Sequence, residues 1–120
     1  MVIFLSVFFF SLHFAATLYI NSSFLEHFFS LKGVGLLYIF GALGNILLFL
    51  KAPTLLNKFK VRGFLFIFLL LTLGSTIGAA FATTNLDAAL FFLIYAGAAP
   101  MVYYALDLLL EQRSVNKRTG

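Results

Sequence analysis

Apolar residues run almost unbroken through four stretches, and short polar clusters separate them. The stretches cover about residues 2–20, 34–50, 64–83 and 88–110. Runs of roughly 18 or more apolar residues read as membrane-crossing helices. Helices follow because a crossing segment must satisfy its own backbone N–H and C=O groups inside hydrocarbon. The expectation is an all-α fold, a polytopic membrane helix bundle with four transmembrane helices. Residues 1–120 form a single membrane region, with a cytoplasmic loop at 51–63 and a cytoplasmic tail at 111–120. The first run lacks a basic start and exceeds the ~7–15 apolar residues of a signal peptide, so it is expected to remain as a span.

Polar positions inside these runs tell which faces avoid lipid. At about 100° per residue, Ser6, His13, Thr17 and Asn21 fall on one stripe of the first span. That stripe serves either interhelical hydrogen bonding or a surface facing water and solute, where His13 could titrate. Tyr38, Gly41, Gly44 and Asn45 cluster in the second span, the glycines for close packing and Asn45 for a bond across helices. In the third span Gly74, Gly78 and Ala82 make a narrow ridge at four-residue spacing, suited to close helix packing. Thr72, Ser75, Thr76 and Ala79 lie on another face, where the hydroxyls either line a polar cavity or bond back to their own helix. Pro100 removes a backbone donor mid-way through the fourth span, and a kink is expected there.

Composition agrees with a lipid-solvated chain: 62% of the 120 residues are hydrophobic and 10% charged, against roughly 45–50% and 25% in soluble domains. Tryptophan is absent, which leaves Tyr19, Tyr38, Tyr95, Tyr103 and Tyr104 as the polar-tipped aromatics available for the membrane interface. Cysteine is absent too, so disulfides and thiol chemistry are excluded.

Charge supplies the orientation. Lys51, Lys58, Lys60 and Arg62 lie between the second and third runs, and Arg113, Lys117 and Arg118 lie in the tail. Lys32 alone falls in the other set of connections. The positive-inside rule therefore puts both termini in the cytoplasm of an integral plasma (inner) membrane protein. Two short cationic flanks at a membrane surface, without interleaved stacking aromatics, exclude nucleic acid as a partner and suit anionic lipid headgroups.

Asp107 lies about 9 Å of helix rise before Arg113, near the inner interface. Tyr103, Asp107 and Glu111 share a face by four-residue spacing. A carboxylate there is expected to find a cation or solvent, and Lys58, Lys60 and Arg62 belong to the same layer. The expectation is a cytoplasmic charge cluster joining the fourth span to the 51–63 loop.

Four segments together resemble the first four helices of the major facilitator superfamily of secondary transporters. "LYINSSFL" is similar to the polar exit of the first helix, "GSTIGAAFAT" to the small-residue third helix, and "LDLLLEQRSVNKRTG" to the end of the fourth. "APTLLNKFKVRG" looks like a degraded form of the family's signature loop. In it Asn57 stands at the Asp position, Lys58 and Phe59 match, Lys60 replaces a Gly, Arg62 matches a basic position and Pro53 stands at the leading Gly.

The resemblance implies a fragment, about a third, of a secondary active transporter that moves a small solute by alternating access. A coupling proton or sodium ion and the remaining helices of the full-length protein would be its partners. The cavity candidates are His13, Thr17, Asn21, Asn45 and Thr76. The gate candidates are Asn57, Lys58, Arg62, Asp107 and Glu111, with Asp107 as the anion available where the family's Asp is missing.

Two other classes compete: a complete four-helix exporter or flippase acting as a dimer, and a non-transporting membrane scaffold. No Ser–His–Asp spacing, paired-carboxylate site or phosphate-binding glycine loop is present, so an enzyme is not expected. His13 has no ligand partner at helical spacing; neither a metal nor a cofactor is expected.

Overall fold

The computed structural model describes residues 1–119, with side chains through Lys117. Gly120, the last residue of the expected tail, lies outside the described residues, as does the Arg118 side chain. The chain is helical nearly throughout, in three helices: α1, Val2–Glu26; α2, Leu31–Ala80; and α3, Asn85–Thr119. All three are long and apolar enough to cross a membrane.

Three helices replace the four expected. The segment read as a cytoplasmic loop, 51–63, is helical, and it joins the second and third apolar runs into α2. Its cations do not prevent this, because long Lys and Arg stems can lie along apolar surface while their heads reach water. The expected tail is helical as well: α3 continues through Glu111, Gln112 and Arg113, all good helix formers.

A straight helix of α2's 50 residues would measure ~75 Å at about 1.5 Å per residue. The whole chain is 55 Å along its longest axis and 28 × 21 Å across, so α2 must bend. The bend is at Lys60, with φ 60° and ψ 166°, whereas Pro53 sits inside the helix without ending it. A side chain in that backbone region costs on the order of 1–3 kcal/mol and persists only when surrounding packing dictates it. Ala52 on one side of the bend and Phe64 and Phe68 on the other close on Ala98, Met101, Val102, Ala105 and Leu106 of α3, all buried.

Local signals set the other ends. The Ser30 hydroxyl accepts from the Gly33 N–H at 3.4 Å and opens α2. The Thr84 hydroxyl accepts from the Asp87 N–H at 3.2 Å and opens α3, where the Asp87 carboxylate also favours the positive end of the helix dipole.

The main core lies between the two arms of α2 and α3. Gly41 and Gly97 let these helices approach: a Cβ at Gly41 would stand 3.1 Å from the Ala96 Cβ, and one at Gly97 would stand 3.0 Å from Leu48 Cδ1. α1 leans on this pair through fewer contacts. Leu25 is buried with Val34 and Phe92, and Phe10 and Phe14 meet the Tyr103 ring edge-on at 4.9 and 5.4 Å. Much of α1 otherwise exposes Phe4, Leu5, Phe8, Phe9 and Leu12, a surface that calls for lipid.

Candidate functional site

Two adjoining chambers lie between the helices. The first, about 270 Å³, is walled by Thr17 and Asn21 of α1, by Ser75, Thr76 and Ala79 of α2, and by Phe91, Phe92 and Tyr95 of α3. The second, about 180 Å³, is walled by Asn21 together with Tyr38, Asn45, Phe92, Tyr95, Ala96 and Pro100. Asn21, Phe92 and Tyr95 belong to both.

The hydroxyls in and beside the first chamber are already occupied. Thr72 donates to the Phe68 carbonyl at 2.7 Å, and Ser75 and Thr76 donate to the Thr72 carbonyl at 2.9 and 2.8 Å. Bonded this way, a hydroxyl retains acceptor capacity but has used its only hydrogen. Thr17 lies 2.9 Å from the carbonyl oxygens of both His13 and Phe14. With its hydrogen used there, Thr17 accepts from the Tyr95 hydroxyl, a bond that ties α1 to α3. Each alternative for the third-span hydroxyls thus describes part of the arrangement: they back-bond, and Ser75 and Thr76 also face the chamber.

The second chamber holds an unspent acceptor. Asn45 Oδ1 is buried without a hydrogen-bond partner. Pro100 has no N–H, so the Ala96 carbonyl loses the donor that a regular helix would give it. A ligand placed there meets acceptors and aromatic faces. The chemistry suits a small, largely apolar solute carrying a hydrogen-bond donor.

Four of the five cavity candidates, Thr17, Asn21, Asn45 and Thr76, wall these two chambers. His13 walls neither; it is exposed, with its ring 6.4 Å from that of Tyr95 and 6.0 Å from that of Phe10. Tyr95, which walls both chambers, is absent from the candidates read from sequence. A tyrosine in the middle of an apolar run was the available signal, since a buried phenol needs a partner.

The packing ridge is partly realised. A Cβ on Gly78 would come within 2.3 Å of the Phe91 ring, so that glycine is a true close approach. Gly74 faces open space, and Ala82 lies beyond the end of α2.

At the bend end of the bundle, the gate candidates do not assemble as expected. Arg62 lines a groove of about 650 Å³ with Lys60, Val61, Ile3, Leu109, Gln112, Arg113 and Asn116. Asp107 and Glu111 are exposed and line no part of it. At about 100° per residue, both carboxylates sit some 150° or more around α3 from the face that Leu109, Gln112 and Arg113 present. The expected joining of Asp107 to Arg62 is therefore replaced by Arg62 and Arg113 on one groove. Asn57 and Lys58 are exposed on α2 outside that groove, with Lys58 Nζ 5.4 Å from the centre of the Phe59 ring.

Among the described residues no group of three or more His, Asp or Glu side chains is placed to hold a metal ion. No family model, curated protein or solved structure matches the chain.

Proposed function

We propose that this chain is a membrane-embedded part of a solute carrier, with the paired chambers as its binding site. The observation that carries the reading is the pair itself. Side chains from all three helices converge on two small spaces that share Tyr95 as a wall. Ligand sites are mostly apolar with a few placed polar groups, and the chambers fit that description. Their size, 270 and 180 Å³, lies below the ~300–1,000 Å³ common for ligand pockets and selects a small solute.

The bend adds support. Lys60 stands where the major facilitator signature has a glycine, and its φ of 60° is a value that glycine adopts without strain. On this reading the solute moves by alternating access, together with helices beyond those described. The bend end, where Ile3, Lys60 and Arg113 meet, faces the cytoplasm of the plasma (inner) membrane.

The absence of cysteine makes the test clean. Single Thr17→Cys, Asn21→Cys and Thr76→Cys variants, reconstituted in vesicles, are treated with a water-soluble thiol reagent. Leu12→Cys, on an exposed apolar position of α1, serves as the lipid-facing control. Labelling of the chamber positions at least about ten-fold faster than Leu12→Cys is expected if water and solute enter. Equal, slow labelling at all four would leave a scaffold as the better description.

A further inference from the structure

The groove at the bend end is cationic on two sides and apolar along its floor. Lys60 and Arg62 of α2 face it from one side, and Arg113 of α3 from the other. Ile3 of α1, Val61 and Leu109 supply hydrocarbon. Among the described residues no carboxylate side chain lines it: Asp107 and Glu111 of α3 lie around the helix from it, and Glu26 and Asp87 lie at the opposite ends of α1 and α3.

Cations gathered on one groove repel one another and attract an anion. The backbone bend also fixes this concentration of charge, because it places Lys60 beside Arg62 at the mouth of the groove.

We propose that the groove binds the phosphate-bearing headgroup of an anionic phospholipid, with the start of an acyl chain against Ile3, Val61 and Leu109. The ligand must carry negative charge to satisfy Lys60, Arg62 and Arg113, and hydrocarbon to cover the floor. A lipid combines both, and the groove lies where the bend of α2 meets the start of α1 and the last turns of α3, three helices long and apolar enough to cross a membrane. Arginine supplies fork-shaped donors to phosphate oxygens from each side. A free phosphate ion would meet the charges and leave the apolar floor uncovered. This assignment is independent of whether the chambers carry a solute.

The test is the association of spin-labelled phosphatidylglycerol and phosphatidylcholine with the full chain in mixed vesicles, read as the motionally restricted fraction of each. Phosphatidylglycerol is expected to be preferred, with about five-fold of that preference contributed by each arginine charge. Arg62→Gln/Arg113→Gln should abolish the preference, and Arg62→Lys/Arg113→Lys should keep most of it. Lys32→Gln/Lys51→Gln, which removes the same charge elsewhere, should leave it intact. Circular dichroism confirms that each variant keeps its helix content.

No preference in the unmodified chain, or equal loss in the two Gln pairs, would overturn the proposal. Competition by millimolar inorganic phosphate that erases the preference would overturn the lipid assignment in favour of a free-anion site.

Discussion

α1 and α3 both read as membrane helices, and α1 is the more apolar of the two. Yet half of α3's most apolar stretch is buried inside the bundle, and none of α1's is. In water the ranking would be reversed, because burial follows hydrophobicity. In lipid, hydrocarbon surrounds the helix wherever it lies, so apolarity gives no reason for two helices to associate.

α3 associates because Ala88, Gly97, Ala98, Ala99 and Ala105 present little bulk, and α2 can pack its Phe64 and Phe68 against it. Three phenylalanines of α1, Phe4, Phe8 and Phe9, stay outside. α1 is held instead by specific contacts: the Thr17–Tyr95 bond, two rings on Tyr103, and Leu25.

Substitutions can break this contrast. The largest effect is expected from Ala99→Phe or Ala105→Phe, at positions with no exposed surface. Overpacking should cost about 1–3 kcal/mol or more, measured by denaturant titration of helicity in detergent. Phe9→Ala on α1, by contrast, should change stability by less than about 0.5 kcal/mol. Comparable losses at the two kinds of position would show that α1 is packed as tightly as α3.

Next in size is the bend. Lys60→Gly removes a side chain from a positive-φ position and should stabilise the fold by about 1 kcal/mol. Lys60→Pro, whose ring requires a negative φ, should destabilise it in the same titration.

Tyr95→Phe deletes the α1–α3 hydrogen bond while keeping the ring. A loss of about 0.6 kcal/mol is the mean for such bonds in membranes. The sharper readout is a broader distance distribution between spin labels on α1 and α3, with that between α2 and α3 unchanged.

The smallest effect concerns the opposite faces of α3. Asp107→Asn and Arg62→Gln should be additive within about 0.5 kcal/mol in a double-mutant cycle, as for groups that share no contact. Coupling above that would restore the ion pair expected from the sequence.

The apolar runs disclosed the helical class and helices long and apolar enough to cross a membrane, because length and apolarity are local properties. The helix count was misread at 51–63. Pro53 and four cations look like a loop, but nothing in them prevents a helix at a membrane surface, and Leu55, Leu56 and Phe59 continue its apolar side. The break at Lys60 is set by tertiary packing of two α2 arms on α3, and no residue preference announces it.

Thr17, Asn21, Asn45 and Thr76 were legible as polar residues in greasy helices. Which of them share a chamber depends on where the helices cross: His13, on the same stripe as Thr17 and Asn21, lies one turn earlier in α1 and falls outside both. Asp107 shows the same limitation: its depth along the helix could be read from spacing, while the neighbour it faces could not.

Asn21, Phe92 and Tyr95 form the wall that the two chambers share, and of the three Tyr95 is the one seated on Thr17 of the neighbouring helix. The latch is a single hydroxyl contact, worth on the order of 1 kcal/mol, so thermal motion alone can spring it. Opening it would also loosen the grip on α1, and movement of cargo past the ring and movement of the helix would become one event.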